Sequence, residues 1–118
     1  MKGETSSMIA FDDFEKVDIR VGRVIDVQDF PRARKPSYRV KIDFGEDIGI
    51  RGSSLQAKND YSMEEMLGKL VVCVVNFEPK NIAGFLSEVL VLGVSHEDGG
   101  LSLLEPGRVP VPLGARVF

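Results

Sequence analysis

A small all-β barrel of five strands, with one short helix between the third and fourth, is the fold this chain predicts. Three observations carry it. Pro36 to Gly45 alternates cleanly: Tyr38, Val40, Ile42 and Phe44 share one face, and Ser37, Arg39, Lys41 and Asp43 share the other. That is the period of a half-buried antiparallel strand with a wet outer face. Val17 to Phe30 also alternates, but loses its phase at Gly22-Arg23 and resumes at Val24. A glycine at a phase break signals a bulge or bend, and a bent first strand can serve both halves of a closed sheet. Finally, Leu70 to Val75 and Val89 to Leu92 are unbroken apolar runs rich in β-branched residues. Such runs suit strands covered on both faces.

The elements then follow in order. Met1 to Ala10 is small and polar, and is expected to be a mobile segment ahead of one domain spanning residues 11–118. Asp12 to Lys16 fits a helical turn with Asp12 as N-cap and Glu15 as its reciprocal partner. The long bent strand and the alternating strand come next. Ile48 to Leu55 is a third, weaker strand. Tyr61 to Gly68 is a short helix with full punctuation: Ser62 as N-cap, Glu65 at N3, Tyr61 and Met66 as the staple, and Gly68 as the stop. The two apolar runs supply strands four and five. A helix between strands three and four of a five-stranded barrel is the OB-fold order. Leu101 to Leu104 and Val109 to Val117 form a further β extension beyond what one barrel requires. Their apolar residues must cover the barrel itself or a second subunit.

Composition narrows the function. At 118 residues, 43% of them hydrophobic, the chain can bury a core of ordinary size. Its net charge is −3, so any nucleic-acid role must come from a local basic patch. The lone Cys73 lies inside an apolar strand, the setting of an inert buried thiol. MKGETSSMIA lacks the apolar stretch of a signal peptide, and no segment approaches a membrane span. The expected location is cytoplasmic, with no membrane insertion. His96, the only histidine, sits in a turn composition, Ser95-His-Glu-Asp-Gly-Gly. No nucleophile–base pair, metal-ligand cluster or phosphate-binding glycine motif occurs, so no catalytic residue, metal or cofactor is expected.

Two segments look built to bind. Phe30 to Ile42 holds Arg32, Arg34, Lys35, Arg39 and Lys41 with no acid, and Phe30 and Tyr38 are interleaved among them. Arginine fits phosphates in a fork, and aromatics stack on bases. Arg51 on the third strand extends this candidate polyanion surface, with Asn76 and Ser87 as polar tips. Asn76 to Ser87 joins strands four and five and carries Phe77, Ile82, Phe85 and Leu86 around Pro79, Lys80 and Gly84. Either the phenylalanines plug the barrel end, or they form an exposed apolar patch suited to unfolded chains. In the second reading Phe77, Lys80, Ile82, Phe85 and Tyr38 make a peptide site.

The pattern Gly68-Lys69, Val72, Val75-Asn76-Phe77, Pro79, Gly84, Ser87-Glu88 resembles the tRNA-binding domain shared by tRNA-binding homodimers and methionyl-tRNA synthetase appendages. Upstream, Phe14, Lys16, Asp18, Arg20-Val21-Gly22 and Ile42-Asp43-Phe44-Gly45 agree, so the match covers nearly the whole chain. Within that family, Ala33-Arg34-Lys35-Pro36, Ser53-Ser54 and Ser87 to Gly93 are similar to the CsaA-type export-related chaperones. The resemblance implies an OB-fold homodimer without catalytic activity. It implies a protein that binds unfolded precursor polypeptides, with the secretion motor ATPase as a partner. The wider family implies the alternative of a tRNA- or RNA-binding module. Phe11, Phe14, Leu103, Val109, Val111, Val117 and Phe118 are the expected dimer contacts.

Overall fold

The computed structural model describes residues 7–118, so the expected mobile segment lies mostly outside the described residues. The elements run α1 (Phe11–Glu15), β1 (Ile19–Asp29), β2 (Tyr38–Asp43), β3 (Ile50–Leu55), α2 (Met63–Met66), β4 (Leu70–Val74), β5 (Lys80–Ile82), β6 (Phe85–Ser87), β7 (Leu90–Val91), β8 (Gly93–Ser95) and β9 (Leu101–Leu103). Five strands form one antiparallel sheet in the order β3-β2-β1-β4-β7, curled into the nearly closed barrel of an OB-fold.

Local chemistry sets most of these elements. Ser62 caps α2 as expected: its hydroxyl accepts from the Glu65 N–H at 3.0 Å, and the Glu65 carboxylate accepts from the Ser62 N–H at 2.9 Å. Gly68 follows the helix at φ +86°, a conformation glycine adopts without a Cβ penalty. For α1 the capping residues differ from the expectation. Ala10 is the N-cap and Asp13 reaches back to its N–H at 3.0 Å, in place of Asp12 and Glu15.

β1 serves both halves of the barrel. Ile19 to Arg23 pair with β4, and Arg23 to Asp29 pair with β2. The irregularity in its ladder falls between Val24 and Asp26, not at Gly22. Gly22 is required for another reason: a Cβ there would lie 2.5 Å from Ile42 Cγ2 and 2.8 Å from the Phe44 ring. The glycine lets the inner layer of β2 close over β1. The free edge of the first half of β1 is taken by the C-terminal segment. Val21 N–H donates to Ala115 O at 3.0 Å, Gly114 N–H to Val21 O at 2.8 Å and Val117 N–H to Ile19 O at 2.9 Å. The backbone of the tail thus belongs to its own barrel.

The core holds Val24, Val40, Ile42, Phe44, Met66, Val71 and Cys73, all at 1% exposure or less. Burial pushes the Cys73 thiol up to about 12, as expected for an inert structural thiol. Leu103, an expected dimer contact, is instead 6% exposed and packed in this core, because β9 pairs with β8 and folds back on the barrel. Val89 and Val91 are buried, but Leu90 between them is 49% exposed, so the fifth strand is covered on one face only.

Asn76 to Ser87 is not a loose loop. β5 and β6 form a hairpin turned by Ala83 at φ +49° and Gly84 at φ +86°, the paired positive φ of a tight two-residue turn. Its base is sewn to β3. Glu88 N–H donates to Gly52 O at 2.8 Å, Glu88 Oε1 accepts from Gly52 N–H at 3.0 Å, and Ser87 Oγ accepts from Ser54 N–H at 3.0 Å. Ser53 Oγ donates to Val89 O at 3.0 Å. Side-chain oxygens thus close the barrel seam where no regular ladder joins β3 to β7.

Candidate functional site

The hairpin β5–β6 stands as a wall with a cavity on each side. On one side lies a cavity of about 640 Å³ between the hairpin and the 31–36 connection, lined by Arg32, Arg34, Lys35, Lys80 and Ile82. Its four cations are exposed, and among the described residues none pairs with an acid. On the other side is a cavity of about 660 Å³ lined by Phe77, Glu78, Ile82, Glu88 and Leu90. Ser54, Gln56, Lys80 and Ile82 line both. A third cavity, about 440 Å³, continues past Leu90 along β8 to Asp60 and Gly100, and again has Ser54 and Gln56 in its lining.

Several sequence-predicted site residues meet here. Arg32, Arg34, Lys35, Phe77, Lys80 and Ile82 line the two cavities beside the hairpin. Phe77 is 56% exposed and so does not plug the barrel end.

Phe85 follows neither expectation. It is half-buried, with its ring 3.0 Å from the position a Cβ would take on Gly52. It meets Phe30 edge-on at 5.6 Å between centroids, and the Arg39 guanidinium sits over both rings at 5.5 and 5.7 Å. Phe85 is therefore a clasp that fastens the hairpin to β2 and β3. Arg39 also donates to Gln28 Oε1 at 2.9 Å, and its Nε is buried without a partner. It is built into the clasp and is no free polyanion contact. Lys41 is exposed in a separate hollow beside Asp26 and Phe85. Arg51 donates to Ile48 O at 3.3 Å and lines none of these cavities.

Three further residues have structural positions. Tyr38 is 5% exposed, and its hydroxyl donates to Tyr61 O at 2.7 Å, so it is core and not peptide site. Asn76 uses its whole amide on the backbone: Oδ1 accepts from Asp18 N–H at 3.0 Å and Nδ2 donates to Lys16 O at 2.8 Å. Ser87 is committed to the seam through Ser54, although it also borders the apolar cavity. Polar residues in a binding-type segment serve here as backbone substitutes. The groove residues Gln56, Glu78, Leu90 and Asp60 were not singled out from the sequence. Leu90 reads as a buried strand residue, and Gln56 and Asp60 carry no pattern of their own.

The other surface candidates lie elsewhere. Phe11 and Phe14 meet on α1 with ring centroids 5.9 Å apart and planes tilted by 46°, and Arg116 donates to Glu15 O at 2.9 Å, which holds the C-terminal segment beside that helix. Phe11 is 67% exposed, Val109 62%, Val117 36% and Phe118 103%, while Phe14 and Val111 are partly covered. Among the described residues no group of acids, histidine and cysteine is arranged to hold a metal, and no helix is long and apolar enough to cross a membrane.

Comparison with known proteins agrees with this architecture. Residues 19–116 match the family model described as "Putative tRNA binding domain". The methionine–tRNA ligase of Thermococcus onnurineus is 38% identical over 117 residues, covering 98% of this chain but only 15% of the ligase. That of Pyrococcus abyssi is 42% identical over 110 residues, covering 92% of this chain and 14% of the ligase. The chain therefore spans about a seventh of the length of the curated relatives it matches, which carry the domain as part of an enzyme. Among solved structures, the CsaA chaperone protein from Picrophilus torridus superposes with a TM-score of 0.87 at 47% identity, covering 94% of this chain and 100% of that one. The chaperone CsaA from Bacillus anthracis gives 0.86 at 43% identity, with 95% and 100% covered. The chain belongs to the tRNA-binding domain family, in its CsaA-type form.

Proposed function

We propose that this chain is a non-catalytic, cytoplasmic chaperone that holds unfolded precursor polypeptides before export. The observation that carries the reading is the apolar cavity formed by Phe77, Ile82 and Leu90, flanked by cations at Lys80 and the 32–35 connection. An exposed apolar hollow with a polar rim suits segments of unfolded chain, whose burial is driven by apolar area. Support also comes from the likeness to CsaA chaperone structures, at 47% and 43% identity. In this reading the chain works as a homodimer, with exposed Phe11, Val109, Val117 and Phe118 supplying the contact. The secretion motor ATPase is the partner that receives the client.

A second reading, a tRNA- or RNA-binding module, is favoured by one observation: the cations Arg32, Arg34, Lys35 and Lys80, unpaired among the described residues, around one cavity. Competition between tRNA and a labelled unfolded precursor, followed across salt concentration, tests both. Phosphate pairing weakens steeply with salt, at a slope of roughly 0.7 per phosphate contact for single strands, whereas apolar burial does not. The chaperone reading expects precursor binding to survive salt that removes tRNA. Precursor binding that is absent, or that vanishes in step with tRNA binding, refutes it.

A further inference from the structure

Resting on the chaperone reading, we propose that the three cavities are one groove that reads the charge order of an extended client segment. The segment is acidic at one end, apolar in the middle and basic at the other. Continuity is built into the walls. Ser54 and Gln56 line all three cavities, Lys80 and Ile82 join the first to the second, and Leu90 joins the second to the third.

Charge changes sign along this path. The first compartment carries Arg32, Arg34, Lys35 and Lys80 and no acid. The middle exposes Phe77 and Leu90, at 56% and 49%, and is also lined by Lys80, Glu78 and Glu88, the last bonded to the Gly52 N–H. At the far end the Asp60 carboxylate lies against Gly100, on the side where a Cβ would also come within 3.0 Å of Asp98 Oδ1. One carboxylate, that of Asp60, thus lines the end of the third cavity. Asp98 Oδ1 accepts from the Gly100 N–H at 2.8 Å and lies 3.1 Å from His96 Nδ1, while Asp60 forms no ion pair among the described residues. A polyanion such as RNA would meet repulsion at that end. A segment carrying Lys or Arg there, and Asp or Glu at the 32–35 end, would be matched at both.

The test uses four short fluorescent peptides sharing one apolar block, read by anisotropy against the full chain. One has acidic and basic flanks, one two acidic flanks, one two basic flanks and one neutral flanks. Exposed ion pairs are individually weak, so each matched end should contribute about threefold and both together about tenfold. The peptide with opposite flanks should bind tightest. Asp60→Lys should move the preference to the doubly acidic peptide, and Arg34→Glu with Lys35→Glu to the doubly basic one. Asp60 is exposed and bonded to no other side chain among the described residues, and a thermal melt checks that each variant is folded. Equal affinity for all four peptides, or an unchanged ranking in Asp60→Lys, overturns the charge order and leaves a single apolar site. Binding of the doubly acidic peptide alone, lost with salt, overturns it in favour of a polyanion site. If none of the four peptides binds, the chaperone reading fails, and the charge order fails with it.

Discussion

Replacing Phe85 by alanine should unfasten the β5–β6 hairpin and leave the barrel folded. The ring is half-buried against Gly52, edge-on to Phe30 at 5.6 Å and under the Arg39 guanidinium at 5.7 Å. The aromatic pair is worth about 0.5–1.5 kcal/mol and the cation–π contact about 0.5–1 kcal/mol at a partly exposed site. Loss of the covered apolar area adds roughly 1 kcal/mol, less than for a fully buried phenylalanine because solvent fills the gap. A local cost of about 2–3.5 kcal/mol follows. The hairpin base keeps its bonds from Ser87 and Glu88 to β3, so this cost should appear as local opening and not as global unfolding. Amide exchange from Lys80 to Phe85 should accelerate by about thirtyfold to three-hundredfold, while Val71 to Cys73 keep their protection. Client binding should weaken too, since Ile82 and Lys80 wall both cavities from this hairpin. Arg39→Met should give part of the same effect, and the double variant less than the sum, because the two side chains share one contact. Unchanged exchange in the hairpin, or collapse of the whole barrel, would refute the clasp.

Three other outcomes follow from the same structure. Asn76→Ala should lower stability by about 1 kcal/mol, through loss of its bonds to Asp18 and Lys16, and leave ligand affinity unchanged; urea melts and a binding titration separate the two. Cys73 keeps its proton in the folded state up to about 12, against an ordinary 9.0, while the unfolded chain releases it earlier. Stability should therefore be unaffected by this group below about pH 9 and fall above it by about 1.4 kcal/mol per pH unit. Urea midpoints of wild type and Cys73→Ala should diverge across that window. Phe11→Asp with Phe118→Asp should give a folded monomer by light scattering, since neither change touches the C-terminal bonds to Ile19 and Val21. A wild-type chain already monomeric at micromolar concentration would remove the dimer from the proposal.

Local chemistry and periodicity were enough to place several elements. Alternation placed β2 and its inner face, the Ser62–Glu65 pair placed α2, and the apolar run placed β4 with Cys73 inside it. The cations at Arg32, Arg34 and Lys35 were legible as a cluster because they are neighbours along the chain. Tertiary structure decided how the barrel closes, and closure assigns roles that no local pattern carries. Ser87 looks like a ligand-facing polar residue until β3 lies beside it with the Ser54 N–H to satisfy. Tyr38 alternates like its neighbours, and only the position of Tyr61 shows where its hydroxyl is bonded. Arg39 reads as one more cation in a basic run until the hairpin folds back and sets Phe85 against it. Leu90 reads as core because its neighbours are core, yet it borders a groove whose other wall is Gln56, far away in sequence. Side-chain direction follows from a strand's own period, but exposure depends on what the rest of the chain brings to the other side.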